Sequence, residues 1–334
     1  MKLTRMMSGL QRRATILAAS TLVPAVMFGA TVQAQSDRLT IAAAPQGTAS
    51  YAAAANVAKV LGEAMDLRTR VQPYTGESSL QPIVNRGDAE LGLSIVIESH
   101  GAYEGRGGMP KQPDLRFVST LFPLKVGFFV RADSDIHSIS DLRGKRVTYG
   151  YTAQGAMISV LEGLLANGGL TDADIEQISV PNVNRGGDDF AAGRADVFFH
   201  AVGTGKVSEV DASVGGLRML PLDTSEEAMA AMREAYQYGY RFDQEPGPAF
   251  VGFDETIPVM AYDFMLLSSA KISEERVYEI TRAMHENADK VTASSPLFGK
   301  IDLRYMYKDL PVPYHEGALR YYREQGAEPT SLSD

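Results

Sequence analysis

Residues able to carry covalent or metal chemistry are scarce in this chain. It has no cysteine, which removes thiol nucleophiles and cysteine-held zinc. The five histidines, His100, His137, His200, His285 and His315, are scattered, and no HExxH, Walker A, GxSxG or EF-hand pattern occurs. A triad assembled from distant residues would leave no motif, but nothing positive points to one, and neither metal nor cofactor is expected. The remaining chemistry is that of binding. Three segments read as strand-to-helix loops, where ligands of open α/β sheets sit. They are Pro45–Tyr51, with Gln46, Gly47, Thr48, Ser50 and Tyr51; Tyr74–Ser79, with Thr75, Gly76, Glu77 and Ser78; and Tyr151–Ala156, with Tyr151, Thr152, Gln154 and Gly155. Each following helix start offers unpaired N–H groups and a positive dipole end, worth about 0.3–1 kcal/mol to an anion. That suits a carboxylate without requiring a basic site.

Each candidate also has a plainer role. Thr48 and Ser50 serve as helix caps as readily as ligand contacts, and Tyr51 is either a ligand wall or an ordinary core aromatic. Pro82 fits a first helical turn, so the second helix is expected to begin near Ser78 or Ser79, with Ser78 as its N-cap. Thr152 and Gln154 supply neutral hydrogen bonds. His200, Gly203 and Thr204 follow the apolar run Phe198-Phe199, and a lone histidine there is more often a satisfied interior residue than a ligand. Arg185 has a fork suited to a carboxylate, against the plainer reading of a solvated loop arginine.

The elements that must position these residues are written twice. Leu39–Ala44 runs through Gln46-Gly47 into an alanine-rich helix expected from about Ser50 to Met65; Arg146–Tyr151 runs through Gln154-Gly155 into a helix stopped by Gly168. The two Gln-Gly pairs lie 108 residues apart. Gly87-Asp88-Ala89-Glu90-Leu91 and Gly193-Arg194-Ala195-Asp196-Val197, 106 residues apart, each read as a helix ending at glycine with a buried strand beginning just after the acid. Two echoes in the same order point to two α/β lobes around mostly parallel sheet. The extended runs Phe122–Arg131 and Ile257–Leu267 are the natural strands crossing between them. Ile139–Val147 marks the start of the second lobe, and Ser273 the start of a helix expected to end near Val291.

The chain has 334 residues, 45% of them hydrophobic, and a net charge of −9. It is too apolar for disorder, and its charge argues against nucleic acid or an anionic membrane as main partner. Residues 1–34 hold four cations and no acid, then an apolar stretch ending Val32-Gln33-Ala34. This reads as a signal peptide cut between Ala34 and Gln35. A membrane anchor is the rival reading, but the stretch is rich in Ala, Gly, Ser and Thr and weakly hydrophobic for a span. The pair Arg12-Arg13 is a weak sign of twin-arginine export. Removal of the segment takes the net charge to about −13.

The opening LTIAAAPQGTASY, the loop Thr75–Ser78, GDAELGL, and above all Ile257–Asn287 and Leu310–Gly326 resemble the TAXI family of receptors of tripartite ATP-independent periplasmic (TRAP) transporters. The resemblance spans residues 35–326. It implies a two-lobed type II periplasmic-binding-protein fold, with two mixed, mostly parallel sheets joined by two crossing hinge strands. Residues 35–124 would begin lobe I, 125–256 form lobe II, and 257–334 return to lobe I. The implied function is capture of a small organic anion or amino acid (dicarboxylate, 2-oxo acid or glutamate-like) in the periplasm for delivery to a TRAP permease. An exported sensor or adaptor presenting its ligand to a membrane receptor kinase is the alternative, and an exported hydrolase a distant third. The chain departs from the family pattern at Ala49-Ser50, at Glu77 in place of a glycine, at Ile95–Ile97 at the end of the third strand, and at Thr204 in place of a histidine. Glu77 puts a negative charge where an anion is expected, so it either faces solvent or meets a cationic group of the ligand.

Overall fold

A computed structural model describes residues 37–106, 110–293, 298 and 301–331. The signal segment expected over residues 1–34 lies outside them, as does the side chain of Glu77. The first unit is β1 (Arg38–Ala43), α1 (Ala49–Met65), β2 (Arg68–Pro73), α2 (Glu77–Arg86) and β3 (Leu91–Ile95), followed by α3 (Val96–Glu104). Alanine-rich α1 starts where the Thr48 hydroxyl accepts the Tyr51 N–H, and stops at Asp66, whose backbone turns left-handed (φ 51°). β1 pairs in parallel with both β2 and β3, giving the order β2-β1-β3.

The second unit repeats this. β5 (Arg146–Tyr149), α4 (Met157–Asn167), β6 (Glu176–Ser179), α5 (Val183–Ala191) and β7 (Phe198–Ala201) follow in the same sequence. β5 pairs in parallel with β6 and, through a bridge from Val147 to Val197, with the residue leading into β7. α6 (Gly205–Val214), β8 (Leu217–Met219), α7 (Glu226–Ala235) and β9 (Tyr240–Gln244) complete this part. The echoes in the sequence are thus echoes of topology: α2 starts at Glu77 and α5 at Val183, 106 residues on.

The two units meet on the crossing strands, β4 (Leu115–Arg131) and β10 (Ile257–Ser269). β4, of 17 residues, spans roughly 55 Å at about 3.3 Å per residue. β10 pairs antiparallel with β3 through Phe264–Leu267, and β4 pairs antiparallel with β7 through Val126–Phe129. Between these ends β4 and β10 pair with each other from Met260↔Val126 to Ser269↔Leu115, with two register shifts. The result is one sheet, β2-β1-β3-β10-β4-β7, to which β8 and β9 add at β4 and β10. Both crossing strands are buried over nearly their whole length, which explains their largely apolar composition. After β10, α8 (Glu274–Glu286), α9 (Ala288–Ala293), α10 (Leu303–Met306) and α11 (Glu316–Glu324) follow; α8 and α11 pack together, and α1 packs on α8.

Four expectations shift in detail. α2 begins at Glu77 with Gly76 as N-cap, one residue before the expected start, and Pro82 lies inside it. β3 ends at Ile95, and Val96-Ile97-Glu98 form the first turn of α3 instead of continuing the strand. An apolar run does not by itself distinguish strand from buried helix. α5 ends at Ala191 with Ala192 as its C-cap, so Gly193 is not the stop itself. The helix begun at Ser273 breaks at Asn287 before Ala288–Ala293 resumes. The Ser273 cap itself is as expected, its hydroxyl accepting the Arg276 N–H at 3.3 Å.

Candidate functional site between the repeated units

The loops that start α1 and α2 face the loops that start α4 and α5. Gly76 sits so close to the second unit that a Cβ there would lie 2.1 Å from the Ala153 carbonyl oxygen. Gln46 contributes its backbone: its carbonyl accepts the Asn184 side-chain N–H at 3.0 Å. Gly47, at φ +87°, adopts a conformation costly for other residues and has Asn184 alongside, 3.3 Å from where a Cβ would stand.

Asn184 is held from behind by His200. The Ala201 N–H lies 2.9 Å from His200 Nδ1 and can only donate, so Nδ1 is the acceptor and Nε2 carries the proton of the neutral ring. Nε2–H then donates to Asn184 Oδ1 at 3.2 Å, which turns the amide N–H toward Gln46. Thr204 Oγ1 lies 2.9 Å from Nδ1 and donates to the Ala201 carbonyl at 3.1 Å. Burial pushes the His200 pKa down to about 4, so the ring is neutral at pH 7. His200 is therefore both a satisfied interior residue and a wall of the seam.

Beneath these contacts lies a cavity of about 40 Å³. The polar residues that line it are Thr48, Ser50, Gln154, His200 and Tyr262. The Thr48 hydroxyl donates to the Pro45 carbonyl, Ser50 Oγ accepts the Ala44 N–H, and Gln154 Oε1 accepts the Val183 N–H at 2.9 Å. Much of the remainder is apolar, from Ile95 of β3, Leu124 and Val126 of β4, Met157 of α4, Phe199 of β7 and Phe264 of β10. The volume is near that of one water, whose share of the liquid is about 30 Å³, against hundreds of Å³ for typical ligand pockets. Outward along the same junction is an open groove of about 580 Å³, bordered by Ser78, Glu98, His100 and Arg106 on one side and by Thr152 and Gly155 on the other. Ser78 does not cap its helix: its hydroxyl donates to Glu98 Oε1 at 2.5 Å. His100 Nδ1 lies 2.7 Å from the Tyr238 hydroxyl across the groove.

Other candidates lie elsewhere. Tyr151 is fully buried, with backbone φ +29°; its hydroxyl meets Thr148 Oγ1 at 2.9 Å, its ring packs edge-on to Phe199, and burial raises its pKa. Arg185 points outward and pairs with Asp189 at 2.9 Å, one helical turn on. Successive helical residues point about 100° apart, so at the start of α5 Asn184 faces the seam while Arg185 leaves it. Tyr51 covers the loop at Gln46, 3.2 Å from that amide, instead of lining the cavity. Thr75 is exposed and bonds Ser79 Oγ at 3.2 Å. Gly203 forms the φ +74° turn before Thr204, which supports His200 from behind.

Asn184 and the apolar lining other than Ile95 were not singled out from sequence. The 106-residue offset that relates α2 to α5 does place Asn184 opposite Ser78, so the repeat held the signal. Among the described residues no cluster of His, Asp and Glu is suited to a metal ion, and no helix is long and apolar enough to cross a membrane.

Solved structures share this architecture at low sequence identity. A structure described as a periplasmic transporter matches with TM-score 0.51 and 13% identity, over 77% of this chain and 82% of that one. The alkanesulfonate-binding protein SsuA from Xanthomonas axonopodis pv. citri, bound to MOPS, gives 0.48 and 17%, over 78% and 80%. The amino acid ABC transporter substrate-binding protein AbpA from Streptococcus pneumoniae, bound to L-arginine, gives 0.48 and 13%, over 78% and 96%. The α/β fold with its mixed sheet is thus shared with the periplasmic transporter structure. The model of the NMT1-like family matches residues 41–326, and the chain belongs to that family.

Proposed function

We propose that the protein is a periplasmic solute receptor, not an enzyme, that captures a small organic anion or amino acid between two lobes and delivers it to a TRAP-type membrane permease. One observation carries this reading: matching loops of two topologically repeated units meet, with Gly76 against Ala153 and Gln46 bonded to Asn184, over a partly polar cavity. A solute touching both sides stabilises the closed arrangement over an open one, which is the whole of the mechanism. The lobes are residues 35–124 with 257–334, and residues 125–256. Thr48, Ser50, Gln154 and His200 are the contacts nearest the solute, with Ser78, Thr152 and Gly155 at the mouth. The resemblance of Ile257–Asn287 and Leu310–Gly326 to TAXI receptors supports the TRAP assignment, and the basic, apolar residues 1–34 support export with cleavage.

A thermal-shift screen of dicarboxylates, 2-oxo acids and amino acids tests the reading, with sugars and metal ions as controls. The chain lacks tryptophan, so an external dye is the appropriate probe. A ligand at a hundred times its Kd adds about 2.7 kcal/mol, a rise of several degrees in a chain of this size. At least one small carboxylate is expected to produce it. Shifts from sugars or metal ions alone would remove the anion assignment.

A further inference from the structure

Between β9 and β10, residues 245–256 form no helix and only a single bridge, Gly247 to Phe250. An open groove of about 1000 Å³ lies along this segment. Phe250, Val251 and Phe253 are half-buried where they line it, packed from behind on the core of Phe129, Phe198 and Met219. Pro248 is exposed at the turn. A run of apolar side chains left partly in water on a loop, bordered by charge, is the mark of an interaction surface. The border here is acidic. Asp254 and Glu255 are exposed and form no ion pair among the described residues, and Asp211 Oδ1 accepts only the Leu217 N–H, at 2.8 Å. Arg218 lines the same groove, but its guanidinium donates inward to the Ala132, Ser134 and Ile136 carbonyls.

The described lining residues all fall between Ala132 and Ile257, so the groove belongs to the second unit alone. Leu217 and Met219 pair with Arg131 and Phe129 at the end of β4, and Ile257 opens β10. The groove thus stands where both crossing strands have their ends. Phe264, which lines the inner cavity, is about 23 Å further along β10. A partner seated here leaves the seam uncovered and holds the second unit by the two strands that lead to the first.

We infer that this groove is a docking face for a partner protein that offers apolar side chains together with lysine or arginine. The inference rests on the receptor reading, under which that partner is the membrane permease, and it names the surface the permease meets. Charge selects the occupant. A second copy docking by the same face would set acid against acid, and an anionic lipid surface is repelled in the same way.

Photo-cross-linking in intact cells that produce the full chain tests this, with p-benzoylphenylalanine in place of Phe253 and, as a control on α8, in place of Tyr278. Position 253 is expected to give at least tenfold more adduct than position 278. Mass spectrometry should map the adduct to a segment of a multi-span membrane protein that carries lysine or arginine. Asp254→Lys with Glu255→Lys should lower the yield at least fivefold, whereas Glu63→Lys with Glu234→Lys, the same charge change elsewhere, should not. Circular-dichroism melts of both pairs should remain cooperative and close to the parent's. No adduct, or adducts only to lipid, to a second copy or to a soluble protein, overturns the inference, as does an equal loss in the two charge-reversed pairs. The receptor reading is judged separately, by the thermal-shift screen on the purified chain. A solute shift without the membrane adduct leaves that reading standing and removes the docking face alone.

Discussion

Protonation of His200 would break the contact that seats its ring behind Asn184, because a proton on Nδ1 would face the Ala201 N–H. The structure resists this, holding the folded pKa near 4 against 6.5 for an ordinary histidine, with burial as the main cause. The folded-state pKa is the depressed one, so the stability is fully present above pH 6.5. It is lost as the pH falls from 6.5 toward 4, where the unfolded chain takes up a proton that the folded protein refuses. A gap of this size corresponds to about 3 kcal/mol. His200→Gln is expected to flatten the loss of melting temperature between pH 7 and pH 4.5 relative to the parent protein. An identical acid limb in the two proteins would mean that His200 does not govern it. Tyr151 and Arg185 show how little a residue's type alone decides: the first is spent on Thr148 and the second on Asp189.

At the scale of elements, the crossing strands carry a buried ionic knot. Asp263 of β10, opposite Pro123 of β4, is fully buried and lies 3.0 Å from the Lys308 ammonium, itself 1% exposed. Tyr240 of β9 and Tyr305 of α10 donate to Asp263 Oδ1 at 2.9 and 2.8 Å, and burial first, then the carboxylate charge, raises both phenol pKa values. The knot ties β9 and the C-terminal segment to the strand joining the two units. Removing one member leaves a buried charge without its counterpart, so Asp263→Ala is expected to cost about 3–5 kcal/mol in denaturant unfolding. The paired change Asp263→Leu with Lys308→Met is expected to recover most of that loss, since apolar replacement of a whole buried pair is often near neutral. Equal losses in single and paired variants would show that packing, not charge, holds the junction.

For the whole molecule, the decisive property is whether the two units close on one another. Gly76 gives a way to separate closure from folding. Its φ of 179° is extended backbone open to any residue, yet a methyl there would overlap the Ala153 carbonyl at 2.1 Å. Gly76→Ala is therefore expected to melt within about 1 °C of the parent. Small-angle scattering with ligand should show the parent contracting and the variant not, with affinity reduced at least tenfold. Normal contraction in the variant would mean that ligand binding does not require this contact. The net charge of −9, or about −13 were residues 1–34 removed, sharpens the point. So negative a field cannot gather anions from a distance, and on the proposed receptor reading local contacts made on closure would supply the binding.

Much of this organisation is legible without coordinates. Periodicity, glycine stops and the offsets of 106 and 108 residues specify two repeated α/β units, because each helix and strand must bury one face and end where its local chemistry ends it. Lys125, Asn184 and Arg185 mark the limit. Their neighbours in sequence line the cavity or, in the case of Asn184 itself, bridge the seam, while Lys125 and Arg185 turn away. Hydrophobic burial is non-directional: it dictates that Leu124, Val126, Phe199 and Phe264 leave water, but not against which partner. Only the antiparallel pairing of β10 with β3 and of β4 with β7 brings those side chains from opposite units around one cavity, and that long-range register decides what the seam can hold.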